Sequence, residues 1–218
     1  DGVRFFEEQY EEMARANGID PTTKKTVEFD FTDMQFVRSY FDILHHPYED
    51  DGVDFWWIDW QQGKKSKLKG FDPLWALNHY HTLDAGREGR KPLILSRYAG
   101  VGSHRYPLGF SGDTFVKWAS LKLQPYFTST ASNVGYTWWS HDIGGHIFGN
   151  GDSELYTRWV QYGVFSPINR LHSNNTSLSK EPWLYGEKAE KITTEFLRLR
   201  HRLLPYLYTA NIRTARDG

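Results

Sequence analysis

The 218-residue sequence predicts an α/β fold in which a parallel β-sheet carries helices on its outer side. Two features predict this fold. From Asp50 onwards, short apolar segments alternate with amphipathic ones, and such alternation of strand and helix is typical of parallel sheets. In addition, five successive apolar segments are followed by charged or polar residues, which in a (β/α)8 barrel gather at the end of the barrel that holds the active site.

The first 50 residues predict two helices joined by a short extended segment. Residues 5–16 carry apolar side chains at helical spacing, and residues 26–31 are extended. Asp33 is placed to cap a second helix that reaches Leu44, because an aspartate side chain accepts hydrogen bonds from the first free N–H groups of a helix. Residues 47–52 predict a turn.

The remaining residues predict five strands and four helices. The first strand is mostly apolar and ends in a carboxylate, as expected of a strand buried on both faces. Pro125 is expected to end the second helix, and Pro205 can break the last one, because proline lacks a backbone N–H. The predicted strands are residues 53–59, 93–97, 108–110, 135–141 and 165–171. The predicted helices are residues 73–83, 114–124, 153–162 and 188–211.

Composition narrows the class of protein. Lys and Arg total 26 and Asp and Glu total 27, which argues against a nucleic-acid binder because such proteins need a basic surface. There is no Cys, so disulfides, thiolate zinc sites and a cysteine nucleophile are excluded. No apolar run approaches the roughly 20 residues that cross a bilayer, so no membrane partner is expected. The absence of an initial Met predicts a fragment, and localisation stays open because any signal peptide would lie upstream.

Charged residues at the predicted strand ends are the main functional signal. They are Asp59, Arg97, Asp113 and Asp142, with Arg170 and His172 after the fifth strand. Polar groups are costly to bury unless they are paired or used, so a row of them at corresponding strand ends predicts one converging site. The alternative, that each is a loop residue or a helix cap, is reasonable for any one residue and much less so for all of them.

Aromatic residues accompany these charges. They make up 17% of the chain, and composition alone favours an aromatic-rich core. Their position beside carboxylates favours a carbohydrate partner, because a sugar ring packs on an aromatic face while its hydroxyls bind charged groups. Two carboxylates can then act on a glycosidic bond. The aromatic residues near the strand ends are Trp56, Trp57, Trp60, Phe110, Trp138 and Trp139.

Other chemistry finds little support. His45-His46 and His79 with His81 lack the spacing of a helix-borne metal site, and no metal is expected. No glycine motif for a dinucleotide or a phosphate follows a strand, and neither Ser96 nor Ser111 lies in a nucleophile elbow. The sequence therefore predicts no metal and no organic cofactor.

Five segments, in order, resemble family 31 of the glycoside hydrolases, the α-glucosidase family, over residues 27–209. Any one of these segments is weak evidence for the family, whereas the five in order are strong evidence. They are Trp57-Ile58-Asp59, residues 96–113, Asp142-Ile143-Gly144-Gly145, residues 158–173 and residues 202–209.

The resemblance implies a retaining α-glycosidase. It makes Asp59 the nucleophile on strand four and Asp113 the general acid/base on strand six, so the whole chain, residues 1–218, is expected to be the carboxyl-terminal part of an incomplete (β/α)8 barrel, with strands 4 to 8. A whole barrel takes about 250 residues, and the chain alone is expected to be inactive. The implied substrate-binding residues are Trp57, Trp60, Arg97, Phe110, Trp139, Asp142, Arg170 and His172.

The nucleophile motif departs from the pattern of typical α-glucosidases. Trp60-Gln61-Gln62 follows the nucleophile where those enzymes have Met-Asn-Glu, and Phe110 stands where many members have Trp. An α-galactosidase or α-N-acetylgalactosaminidase of the same family is therefore an alternative to an α-glucosidase-like enzyme. A carbohydrate-binding barrel without catalysis is a third hypothesis. Linkage, hydrolysis versus transfer, and oligomeric state stay open.

Overall fold

The computed structural model describes residues 2–59, 62–63, 66–97, 100–106, 108–174 and 179–217. The chain divides into two compact units, Asp1–Pro107 and Leu108–Gly218. Among the described residues, none of the helices combines the length and the apolar character that crossing a membrane requires.

The first unit contains one antiparallel pair of strands and one parallel pair. Strands β1 and β2 are antiparallel, whereas β3 and β4 are parallel, with Ile58 opposite Ser96. The elements in the described part of this unit are β1 (Gly2–Val3), α1 (Tyr10–Ala16), β2 (Val27–Glu28), α2 (Met34–Leu44), α3 (His46–Asp50), β3 (Trp56–Ile58), α4 (Pro73–Ala85) and β4 (Ile94–Arg97), with short 3-10 helices at Pro21–Thr23, Arg87–Gly89 and Ser103–Arg105.

Helix α2 confirms the predicted cap and the predicted apolar face. The Asp33 carboxylate accepts a hydrogen bond of 2.8 Å from the backbone N–H of Gln35, which satisfies one of the free donors at the helix start. Phe36, Tyr40 and Phe41 are buried against the core of this unit. The helix therefore forms because a cap and an amphipathic pattern agree.

Three predictions for the first unit need correction. Helix α1 begins at Tyr10, because Phe5 and Phe6 precede it in exposed turns and contribute no apolar face. The predicted turn over 47–52 is mostly the short helix α3. Strand β3 is not buried on both faces: Ile58 is fully buried, but Trp57, on the opposite face, is 43% exposed. Alternation of side chains along a strand produces this difference.

The second unit contains the parallel pair β5 and β6 and a helical core. Gly109 lies opposite Trp139, and Phe110 lies opposite Ser140. Helix α6 starts at the predicted residue, where the Asp152 carboxylate accepts hydrogen bonds from the N–H groups of Glu154 and Leu155. The elements in the described part of this unit are β5 (Gly109–Phe110), α5 (Trp118–Asn133), β6 (Trp139–Ser140), α6 (Ser153–Gly163) and α7 (Glu187–Asp217), with a 3-10 helix at Pro182–Tyr185.

Helix α5 starts later and ends later than the sequence predicts. Residues 114–116 are bound to a distant loop instead of entering the helix, because the N–H of His146 donates to the Thr114 carbonyl at 2.7 Å and the N–H of Val116 donates to the Ile147 carbonyl at 2.9 Å. The helix then continues through Pro125 to Asn133, so the prediction that this proline ends it is wrong. One missing N–H costs a hydrogen bond without ending the helix.

The fifth predicted strand, residues 165–171, is reduced to a single parallel bridge between Ile143 and Leu171. The reason lies in α7. The Arg200 guanidinium donates hydrogen bonds to the carbonyl of Ser166 and, at 2.9 Å, to the carbonyl of Pro167, so a side chain binds acceptors that a strand ladder would use. Helix α7 itself passes through Pro205 without a break.

Gly109 is required by the close approach of Tyr136. A Cβ atom at position 109 would lie 1.6 Å from the Tyr136 Oη atom, whereas a Cβ atom at position 151 would have no atom of the described residues within 4 Å. We expect Gly109→Ala to lower the free energy of unfolding by about 1–3 kcal/mol and Gly151→Ala to leave it unchanged. Urea unfolding followed by tryptophan fluorescence checks this. An equal loss from Gly109→Ala with and without Tyr136→Ala would contradict the cause.

Candidate active site

The register of β3 and β4 brings the first pair of predicted site residues together. Because Ile58 lies opposite Ser96, the next position on each strand places Asp59 beside Arg97. The Arg97 Nε atom donates a hydrogen bond of 2.7 Å to Asp59 Oδ1. The Asp59 side chain is nevertheless 38% exposed, so its carboxylate is oriented by the guanidinium and still accessible to a ligand.

Trp57 lies on the same face of β3 as Asp59, because residues two positions apart share a face of a strand. Its side chain is partly exposed, which suits an aromatic surface beside the carboxylate. Trp56 points the other way into the core, and its indole N–H donates to Glu49 Oε1 at 2.8 Å. Trp60, the other predicted aromatic residue of this segment, lies outside the described residues.

In the second unit, Asp142 and Arg170 form a buried ion pair. The Asp142 side chain is 1% exposed, and an Arg170 Nη2 N–H donates to its Oδ1 atom. Arg170 also donates to Ser140 Oγ at 3.4 Å, and its guanidinium carbon lies 4.8 Å from the centre of the Phe110 ring. The buried Phe110 ring therefore makes a cation–π contact with the Arg170 guanidinium, which helps to hold Arg170 in place.

Burial sets the protonation tendencies around this pair. Burial raises the pKa of the Asp142 carboxyl above its usual range, although Arg170 and His146 act in the opposite direction. Burial, reinforced by Arg170, lowers the pKa of His141 to about 4, so this imidazole is neutral at pH 7. Burial lowers the pKa of Lys180 to about 8, and the Asp142 charge opposes that shift.

His146 is a site residue that the sequence pattern does not single out. Its Nε2 atom lies 3.5 Å from Asp113 Oδ1, and its Nδ1 atom lies 3.9 Å from Asp142 Oδ2. Its ring also stacks on His172, with 4.7 Å between the ring centres. The available signal is its place four residues after Asp142, in the loop that follows a strand end.

The predicted residues therefore fall into one group in each unit. Asp59, Arg97 and Trp57 lie together in the first, and Asp113, Asp142, Arg170, His172 and Phe110 lie together in the second. Trp139 is placed differently: it is fully buried and packs on Phe127 and Tyr136, with ring centres 5.0 Å and 4.9 Å away. Its ring contributes to the aromatic core behind β6.

Asp113, Asp142 and His146 offer oxygen and nitrogen atoms within 4.8 Å of one another. Carboxylates and imidazole are donors that divalent cations use in proteins. Here, however, the Arg170 guanidinium already binds Asp142, and its positive charge would repel a cation at the same carboxylate. The charges therefore favour direct pairing among these side chains over a metal centre.

Parallel strands followed by ion-paired carboxylates are the arrangement expected of an α/β protein of the barrel type. Residues 4–210 match the family described as the glycosyl hydrolases family 31 TIM-barrel domain. The chain thus belongs to family 31 of the glycosyl hydrolases, and the prediction of a partial barrel is confirmed.

Relatives of the chain carry two kinds of name. The chain is 33% identical over 151 residues to neutral alpha-glucosidase C of Mus musculus. This match covers 69% of the chain and 17% of the mouse protein. The chain is also 29% identical over 199 residues to the alpha-xylosidase of Saccharolobus solfataricus. This match covers 80% of the chain and 26% of that enzyme. The chain therefore spans about a quarter or less of these relatives.

A solved structure supports the same grouping. The crystal structure of a family 31 alpha-xylosidase from a soil metagenome, complexed with xylose, matches with a TM-score of 0.68 and 26% identity. The match covers 88% of this chain and 34% of that one. Relatives in this family thus include a structure with a sugar bound.

Proposed function

We propose that the protein is a retaining α-glycosidase that hydrolyses terminal α-linked sugars, and that residues 1–218 are the carboxyl-terminal part of its (β/α)8 catalytic domain. The observation that carries this proposal is the Asp59–Arg97 pair at the end of β3, in a chain that belongs to family 31. An accessible carboxylate held by a guanidinium at a strand end suits a nucleophile.

The roles of the two carboxylates follow the motif resemblance. Asp59 attacks the anomeric carbon while Asp113 gives its proton to the leaving oxygen, so one C–O bond forms as another breaks. In the second step Asp113 takes a proton from water, and the resulting attack on the anomeric carbon releases Asp59. The two inversions together retain the α-configuration.

The pair of Asp142 and Arg170 supports sugar binding. Arg170 binds one carboxylate oxygen of Asp142, whereas the other, Oδ2, is buried and has no hydrogen-bond partner among the described residues. A buried oxygen of this kind can accept a bond from a sugar hydroxyl, which would offset its loss of water. His172 stacks on His146, whose ring lies next to Asp142. His172 and Arg97 are proposed as further sugar contacts beside Asp142 and Arg170.

The sugar is proposed at the level of an α-glucosidase-like activity. The names of the relatives include both an alpha-glucosidase and an alpha-xylosidase. The variant Trp60-Gln61-Gln62 motif favours testing α-galactosidase and α-N-acetylgalactosaminidase activity beside them. A sugar-binding barrel without catalysis would tolerate loss of either carboxylate, and both are present. The expected partner is a carbohydrate, with no nucleic acid and no membrane.

The experiment is a screen of the protein expressed from its complete reading frame. It uses p-nitrophenyl α-glycosides of glucose, galactose, xylose and N-acetylgalactosamine, with the Asp59→Asn variant beside the unchanged protein. We expect release from one of these sugars, loss of that release in Asp59→Asn, and an α-anomer as the first product by NMR. Sugar binding without release from any substrate would support the non-catalytic barrel instead.

A further inference from the structure

The loop after β6 turns sharply to bring His146 back beside Asp142. The Gly145 N–H donates to the Asp142 carbonyl at 2.8 Å, and a Cβ atom on Gly145 would lie 2.7 Å from the Val116 backbone. Gly145 has a φ of +80°, which also favours glycine. This turn lets the chain pass close to the segment that follows Asp113.

Backbone hydrogen bonds then fix His146 from both sides. Its N–H donates to the Thr114 carbonyl at 2.7 Å, and its carbonyl accepts from the Asn174 N–H at 3.1 Å. Thr114 directly follows Asp113, and Asn174 comes two residues after His172. The position of the imidazole is therefore set by the same segments that carry the proposed acid/base and a proposed sugar contact.

The imidazole lies between two carboxylates. One ring nitrogen, Nε2, is 3.5 Å from Asp113 Oδ1, and the other, Nδ1, is 3.9 Å from Asp142 Oδ2. Both Nδ1 and Oδ2 are buried without a hydrogen-bond partner among the described residues. Hydrogen bonds in catalytic sites are often long before the substrate binds and shorten in the complex.

We propose that His146 is a positioning residue that holds the Asp113 carboxyl in place and couples it to the Asp142–Arg170 pair. This inference rests on the proposed function and adds a residue to it. The stack on His172 fixes the plane of the ring, so its nitrogens can meet the two carboxylates together. Sugar bound at Asp142 would then also fix the proton donor Asp113 through His146. This matters for the rate, because displacement of a catalytic group by about 1 Å slows the reaction strongly.

The test compares two substrates of the sugar identified by the screen. A disaccharide has a basic leaving group that needs a proton, whereas a glycosyl fluoride needs little help. His146→Phe keeps a ring to stack on His172 and removes both nitrogens. We expect this variant to lose about 10-fold or more in kcat/KM on the disaccharide and less than about 3-fold on the fluoride.

Two further variants complete the design. His146→Asn restores one polar group and is expected to recover part of the loss on the disaccharide. His201→Phe makes the same change at an exposed position of α7 and is expected to change neither rate.

The outcomes separate this inference from the function on which it rests. Equal losses on both substrates in His146→Phe, or no loss on either, would overturn the positioning role and leave the glycosidase proposal intact. Absence of hydrolysis by the unchanged protein would overturn both.

Discussion

Replacing Asp59 by Ala is expected to lower kcat/KM on an α-glycoside by roughly 10⁴-fold or more, because no covalent intermediate can form without the nucleophile. Added azide is expected to restore release of the leaving group. Azide fits the space left by the carboxylate and attacks from the same face, so the product is the β-glycosyl azide, formed with one inversion. NMR of the product identifies its anomer.

The Asp113→Ala variant is expected to give the opposite anomer. Here the nucleophile still acts, and azide intercepts the glycosyl-enzyme in place of water, so two inversions give the α-glycosyl azide. On substrates with poor leaving groups, kcat/KM of this variant is expected to fall by about 10²–10⁴-fold. Asp54→Ala, an exposed aspartate before β3, is the matched control and is expected to be unchanged. The same azide anomer from both site variants would contradict the role assignment.

Replacing Arg170 by Met is expected to lower the free energy of unfolding by about 3–5 kcal/mol, because it leaves the buried Asp142 carboxylate without its cation. The control is Arg158→Met, which removes an arginine from an exposed pair with Glu154. Exposed pairs contribute about 0–1 kcal/mol, so this control is expected to cost little. Urea unfolding of the protein from its complete reading frame measures both.

A second substitution tests the cause of that loss. Asp142→Asn removes the charge that Arg170 compensates, so the Arg170→Met change is expected to cost less in an Asp142→Asn background than in the unchanged protein. If Arg170→Met costs the same in both backgrounds, or no more than Arg158→Met, the stabilising role of the buried pair would be wrong.

Local sequence predicted much of the fold. The bounds of α2 and the start of α6 follow from an aspartate cap and an amphipathic pattern, both of which lie within one helix. The pairing of Asp59 with Arg97 also follows from sequence, because parallel strands align their carboxyl ends. These features were predictable since each depends on periodicity, capping or strand direction.

Long-range contacts decided the bounds of other elements. Helix α5 starts at Trp118 because the segment before it is bound to residues 146–148. The fifth strand is lost because Arg200 binds the carbonyls of Ser166 and Pro167. Neither partner is near in sequence. No local pattern reports a hydrogen bond to a residue about 30 positions away.

The sequence by itself determined the family-like order of motifs, the parallel α/β class and the charged residues at strand ends. Only the tertiary structure decided that Trp139 is buried in an aromatic core, that Phe110 lies under Arg170, and that His146 stands between two carboxylates. The physical reason is that strand ends are fixed by backbone hydrogen bonding, whereas the neighbours of a side chain are fixed by loops and packing between distant segments.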